Sequence, residues 1–234
     1  METLLLVPVD DSVVFPTMTV TLTLTVDVGD EERVLLVPRK DDAFADVGTV
    51  AEVSERVRLP GGGHAIALTG LHRGIAGAAH TDPTGALRVE VTAHPDDEPV
   101  DGRTRDLERE YRAVVEELLE LRGDDGRVAA FLRSISEPGP LADTSGYSPD
   151  IAYDQKVELL ETLDVTERLE RALELQRERV AELQVRKRIR DDVQSGAEAQ
   201  QREYFLRKQM ESIRKELGED DASVADEYLS LIHI

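Results

Sequence analysis

The chain has 234 residues, no cysteine, no tryptophan and a formal net charge of −21. That length holds one large or two small domains with cores of Val, Leu, Ile and Ala, and the missing cysteines exclude a disulfide framework, a thiolate metal site and a Cys nucleophile. So acidic a chain repels nucleic acid and anionic lipid as a whole, no apolar run approaches the ~18–20 residues of a membrane span, and Met1–Asp10 lacks a signal peptide's basic start, so a soluble cytoplasmic protein is expected.

Up to about Val100, short apolar runs alternate with Gly, Pro and Asp, which predicts strands. Leu4–Val9 is continuously apolar, and Val20–Val26 alternates Val or Leu with Thr, the signature of a strand with one buried face. Val34–Val37 ends at Pro38. Val47–Leu59 and Ala65–Leu71 flank a turn through Pro60, Gly61, Gly62 and Gly63, and Ala86–Ala93 alternates again. About six short strands with little helix signal predict a compact barrel or sandwich.

From Asp101 the period becomes helical. Asp106–Arg122 places Leu107, Tyr111, Val114, Val115, Leu118, Leu119 and Leu121 largely on one face. A short helix over Val128–Ile135 is expected to stop at Glu137-Pro138-Gly139-Pro140, and a third to cover Leu141–Gly146. Ser148-Pro149 then opens a fourth near Ile151–Thr162, with Pro149 in its first turn. Asp164-Val165-Thr166-Glu167 reads as a capping box with Asp164 as N-cap. The proline-free stretch that follows, to about Leu217, predicts one helix of roughly 75–80 Å, which must leave the domain that starts it. Its apolar stripe begins with Leu169, Leu173, Val180 and Leu183. Leu206, Met210, Ile213 and Leu217 then form a heptad-like seam able to pair with another helix. Ser195-Gly196 is the expected weak point, where the helix bends or breaks, because a mid-helix Gly costs ~1 kcal/mol relative to Ala.

No residue set carries catalysis, a cofactor or a metal. Gly61-Gly62-Gly63-His64 has no following Lys-Ser or Lys-Thr and reads as a hairpin turn, not a P-loop. His64, His72, His80 and His94 lack ligand spacing and read as surface or loop residues. Asp96-Asp97 and Asp124-Asp125 read as solvated turns, and no serine sits in a G-x-S-x-G elbow. Arg186, Lys187, Arg188 and Arg190 form the one basic run. An anionic partner such as DNA stands against a solvated face paired with neighbouring Glu; the latter is preferred, since no aromatics interleave and Asp191-Asp192 follow.

Gln201-Arg202-Glu203-Tyr204-Phe205-Leu206-Arg207-Lys208-Gln209-Met210, continuing to Ile213-Arg214-Lys215-Glu216-Leu217-Gly218, resembles the hallmark Q-R-E-Y-x-L-x-x-Q-x and I-x-K-E-L-G of ATP-dependent Lon proteases. Leu141-Ala142-Asp143 and the run Lys156–Leu169 resemble the family's L-A-D and K-x-x-L-L-E-x-x-D-V-x-E-R-L. Val14-Phe15-Pro16, Val47-Gly48-Thr49-Val50 and Gly70-Leu71-His72-Arg73 resemble its V-V-x-P, V-G-T-V and G-L-x-R. The matches are collinear from Leu4 to about Gly218, and their wording is nearest to actinobacterial Lon.

The resemblance implies an α+β fold: a PUA-like β pseudo-barrel over 1–100 for substrate engagement, a helical bundle over 101–163, and a long helix over 164–218 leading to an AAA+ domain. Residues 219–234, with their apolar Tyr228–Ile234 end, read as a truncated tail. It further implies a module that holds unfolded or tagged protein substrates for a hexameric serine protease. ATP and Mg2+ would serve the full-length protein and neither would bind this chain, and neither membrane nor nucleic acid is an expected partner. A stand-alone LON-domain adaptor or chaperone-like binder is the alternative. The family's helix between its second and third strands has no room here, because Val28–Arg33 is too short for one. For client binding the sequence offers apolar residues beside flexible turns, namely Phe15, Met18 and Leu59, against the reading of all three as ordinary core.

Overall fold

The computed structural model describes residues 2–24, 26–40, 43–58, 64–96 and 100–217. Residues 1–181 form one compact unit and residues 182–234 a second.

The strands are β1 (Glu2–Val9), β2 (Thr19–Leu24), β3 (Arg33–Lys40), β4 (Ala43–Phe44), β5 (Val47–Arg58), β6 (His64–Thr81) and β7 (Leu87–His94). β1 and β3 run parallel, with Leu5 opposite Val34 and Val7 opposite Leu36. Alternate residues of this pair enter two different apolar clusters. Leu5, Val7, Val34 and Leu36 face one, while Leu4, Leu6, Leu35 and Val37 face the other. Burial on both faces is why these two segments read as unbroken apolar runs. β2 is buried on one side only, and Val20, Leu22 and Leu24 pack on the first cluster while Thr19, Thr21 and Thr23 face water.

The pairing order β1-β7-β6-β5-β3 returns to β1 through the parallel pair, which makes the expected pseudo-barrel. One edge of β6 is shared, since its first third pairs with β2 and its last half with β7. The cluster around Leu5, Leu36, Ile66 and Leu68 draws on strands and their loops alone and is the barrel interior. The other joins the outer face of the strands to the helices.

β6 does not stop at Leu71, as its pattern suggests, but continues through Gly70 and Gly74 to Thr81. These glycines are contact points rather than breaks. A Cβ on Gly70 would overlap the Phe15 carbonyl, and one on Gly74 would press on Val91, Leu35 and Val50. The turn expected over 59–63 lies outside the described residues. No residue of 26–32 is helical; Val28 is buried there and Gly29 turns the chain with φ 47°.

The helices are α1 (Gly102–Arg122), α2 (Arg127–Ser134), α3 (Pro138–Asp143), α4 (Tyr153–Glu161) and α5 (Val165–Glu216), with a 3-10 turn at Thr144–Tyr147. Asp101 caps α1 by accepting from the Thr104 N–H at 2.7 Å, and Gly123 closes it with φ 71°. α2 stops before Pro138 as expected, and Pro138 then starts α3, ahead of the expected Leu141, where its missing N–H costs nothing. Pro149 precedes α4 rather than lying in its first turn, because the cap is Ala152. Asp164 does cap α5, accepting from Glu167 N–H at 2.8 Å.

Contrary to expectation, α5 passes Ser195-Gly196 unbroken. A single Gly penalty of ~1 kcal/mol does not outweigh hydrogen-bonded turns of strong helix formers on both sides. Within residues 1–181 the helix buries Arg168, Leu169, Ala172, Leu173, Leu175, Gln176 and Val180, whereas from 184 to 217 every residue is exposed. Among the described residues no helix is long and apolar enough to cross a membrane.

Candidate functional site

Where barrel meets bundle, four charged side chains are packed together. Arg73 of β6 donates to both Asp143 carboxylate oxygens at 3.0 and 2.7 Å, and to the Leu160 and Leu159 carbonyls at 2.9 and 3.2 Å. Arg168, in the first turn of α5, grips Asp96 just after β7 with two bonds of 2.7 Å. It also reaches the Thr162 and Leu163 carbonyls at 2.9 Å and Asp143 at 3.4 Å. Arg73, Arg168 and Asp143 are fully buried. Two cations face two anions, and the guanidinium donors that the carboxylates leave over meet carbonyls at the end of α4 and before α5.

Burial alone would push the Asp96 carboxyl up. The hydrogen bonds from Arg168, with the charges of Arg168, Arg73 and nearby His94, outweigh it and hold Asp96 below the usual carboxylate range. This arrangement locks; nothing in it offers a nucleophile or an open coordination position. Asp96 also corrects the sequence reading, which placed it in a solvated turn. Arg168 stands among charged residues in Asp164-Val165-Thr166-Glu167-Arg168, so nothing local in the sequence marked it, or its partner Asp96, as buried.

The loop between β1 and β2 holds the first two client-binding candidates. Phe15 is 0% exposed, its ring set against Gly146 and tilted on Tyr147 at 6.4 Å between centroids. It is therefore a core residue joining barrel to bundle and presents no surface to a client, which corrects its placement as a binding residue. Met18 is half-buried against the barrel interior. Leu59 lies outside the described residues. Between Phe15 and Met18, Thr17 adopts φ 65°, a costly conformation for a β-branched residue. Its N–H donates to the Gly70 carbonyl at 2.9 Å, and the Gly70 N–H donates back to the Met18 carbonyl at 2.9 Å. The loop is thereby sewn to β6 beside Leu71, which is 40% exposed.

His72, His80 and His94 sit in strands β6 and β7 rather than loops. Among the described residues no three His, Asp or Glu side chains converge on a metal-sized space. In the basic run, Arg186 pairs with Glu182 at 2.6 Å, the helix-face pairing the sequence suggests. Val185, Ile189, Val193, Leu206, Met210 and Ile213 are exposed along α5.

The model of the ATP-dependent protease La (LON) substrate-binding domain family matches residues 3–177. The chain belongs to this family. The Lon protease of Chloroflexus aurantiacus is 40% identical over 96% of this chain, and that of Salinispora arenicola 38% identical over 97%. The Lon protease of Escherichia coli is 32% identical over 95%. The chain spans only 29–31% of the length of these relatives. Among solved structures, the N-terminal domain of Mycobacterium avium complex Lon protease matches with TM-score 0.66 and 31% identity, covering 75% of this chain and 98% of that one. The Lon N-terminal domain protein of Xanthomonas campestris, at 18% identity and TM-score 0.52, shares the fold.

Set against the Lon motifs, the clamp explains three of them. The arginine of G-L-x-R is Arg73, the aspartate of L-A-D is Asp143, and the arginine of D-V-x-E-R-L is Arg168. The tyrosine and leucine of the Q-R-E-Y-x-L hallmark, Tyr204 and Leu206, are exposed in residues 182–234.

Proposed function

We propose that this chain engages polypeptide clients for an ATP-dependent serine protease of the Lon type, in the cytoplasm and as part of a homo-oligomer. The observation that carries the reading is the substrate-binding-domain match over residues 3–177, three-quarters of the chain. The stand-alone adaptor is not favoured, because the relatives that match nearly the whole chain are Lon proteases. The reading assigns binding, not bond cleavage, to these residues, and no step of it runs through ATP or Mg2+.

A module that accepts many unfolded chains needs accessible apolar groups on a rigid frame, because unfolded chains share hydrophobic side chains rather than sequence. With Phe15 sealed, the Thr17–Met18 turn and neighbouring Leu71 supply such groups. The loop is held to β6 by two backbone hydrogen bonds and to the bundle by the Phe15 ring. The acidic field adds a preference for basic clients that salt screens over ~10 Å at 0.1 M.

Fluorescence anisotropy with reduced, alkylated lysozyme as an unfolded basic client tests the reading. Binding should weaken but persist as salt is raised, and Met18→Ser with Leu71→Ser should lower affinity with the fold intact, the loss of Met18 packing lowering the unfolding temperature only modestly. Absence of client binding at any salt would reject the function, and complete loss at high salt would reduce it to charge attraction alone.

A further inference from the structure

Several strands of the barrel leave part of an edge unpaired, and they are guarded in different ways. β1 beyond Leu5 has no partner on its β7 side, and it carries Pro8, which lacks an N–H. β5 beyond Val53 runs past the end of β3 with a bulge before Glu55 and the charges of Glu55 and Arg56. β4 is only 2 residues long. Proline, bulges, charge and shortness are the means by which sheets refuse an added strand. β2, 6 residues long, has none of them. Among the described residues β6 is its one strand partner. No charged residue or proline lies from Thr17 to Val26, although 33% of the chain is charged.

The register fixes which main-chain groups face the open side. The Gly70 N–H donates to the Met18 carbonyl at 2.9 Å, so these two residues form a hydrogen-bonded pair. Antiparallel pairing alternates from there, so Val20, Leu22 and Leu24 bond to β6. The N–H and C=O groups of Thr19, Thr21 and Thr23 then point away from it. Burial agrees with an open edge. Val20, Leu22 and Leu24 pack on the barrel interior yet are only half-buried. Leu5, Leu36 and Ile66 of the same cluster lie on strands paired along both edges and are buried.

Unpaired N–H and C=O groups at every second residue are complementary to another extended main chain. We propose that the outer edge of β2 takes an extended client segment as an added antiparallel strand, held through the main chain of Thr19, Thr21 and Thr23. The inference rests on the client-binding reading above and names the chemistry by which the client is held. In this register the client residues opposite Val20 and Leu22 turn their side chains to the barrel interior and their N–H groups to water. The residues between them donate to the Thr carbonyls. Folded proteins keep their main-chain groups paired, whereas every unfolded chain offers them. The edge therefore separates unfolded from folded clients without reading side-chain sequence.

Two labelled hexapeptides of alternating Thr and Val, each with Lys at both ends, test this on the full chain. One is N-methylated at its three Thr and the other at its three Val, so the two are isomers of equal charge and apolarity. The Val-methylated isomer should bind at least tenfold tighter, the scale of losing three backbone hydrogen bonds. Thr21→Pro removes an outward N–H without breaking a bond to β6, so it should weaken that isomer at least fivefold with far-UV circular dichroism unchanged. Amide exchange on the unmodified chain decides independently of any variant. The Thr19, Thr21 and Thr23 amides should exchange fast in the free chain and slow when the Val-methylated isomer is added. Equal affinity of the isomers, the reverse ranking, or no protection gained at these amides overturns the proposal. Protection already present in the free chain would mean that a second copy or another segment of this chain holds the edge, which overturns it too. If reduced, alkylated lysozyme binds but the isomers bind alike, only the edge assignment falls. If lysozyme fails to bind, the client reading itself falls.

Discussion

Replacing Asp143 by Ala should be among the most damaging single changes in this chain. Asp143 has no exposed surface and accepts from Arg73 at 3.0 and 2.7 Å and from Arg168 at 3.4 Å. Without it Arg73 stays buried with two carbonyls and the Asp96 carboxylate at 3.8 Å as its remaining partners. Deleting one member of such a pair typically costs about 3–5 kcal/mol, because the stranded charge cannot regain water. Against a total stability of roughly 5–15 kcal/mol that is a large fraction. Urea unfolding followed by far-UV circular dichroism should show the midpoint fall with the slope preserved. Arg73→Met combined with Asp143→Leu should cost less than Asp143→Ala alone, since no charge is then left unpaired. A loss below about 1 kcal/mol for Asp143→Ala would refute the argument that this cluster locks barrel to bundle.

A Cβ at Gly146 would overlap the Phe15 ring, so Gly146→Ala should destabilise by roughly 1–3 kcal/mol, and adding Phe15→Leu should recover part of the loss in thermal unfolding. Asp96 has a depressed folded-state pKa, so its contribution is present above its unfolded value near 3.8 and is lost as pH falls through the folded value. Acid titration of stability should therefore steepen below about pH 4, and Asp96→Asn should flatten that limb; an unchanged limb would remove Asp96 from the acid response. In α5, amides from Ala197 to Leu217 should exchange with deuterium faster than those of β3, because no side chain there is buried. Equal protection would mean that this stretch is covered by another chain.

Strand and helix positions were legible because periodicity reports burial directly. β1 and β3 read as continuous runs because both faces are covered, and β2 alternates because one is not. The errors fell where a long-range contact overrides local preference. The strand beginning near Ala65 was expected to end at Leu71, yet Gly70 and Gly74 each admit a close neighbour from another segment and β6 continues to Thr81. Phe15 beside Pro16 looks like an exposed turn residue, yet Gly146, 131 positions later, makes the slot that takes its ring. Asp96 next to Asp97 looks solvated, and only the position of Arg168 across the fold reveals otherwise.

The parallel pairing of β1 with β3, and the antiparallel pairing of β1 with β7, also constrain how the chain reaches this state. During synthesis β1 leaves the ribosome before either neighbour, and its second partner follows only after Leu87. For that interval Leu4–Val9, interrupted only by Pro8, is an apolar segment with at least one unsatisfied edge. Glu2 before it and Asp10-Asp11 after it place charge at both ends, where gatekeepers against intermolecular pairing are most effective. A late, non-local ring closure of this kind makes the barrel the slower-folding part of the compact unit. The helical bundle, whose contacts are more local, can form while β1 is still waiting for its place. A chain proposed to engage unfolded polypeptides thus passes through a stage in which it resembles its own proposed clients.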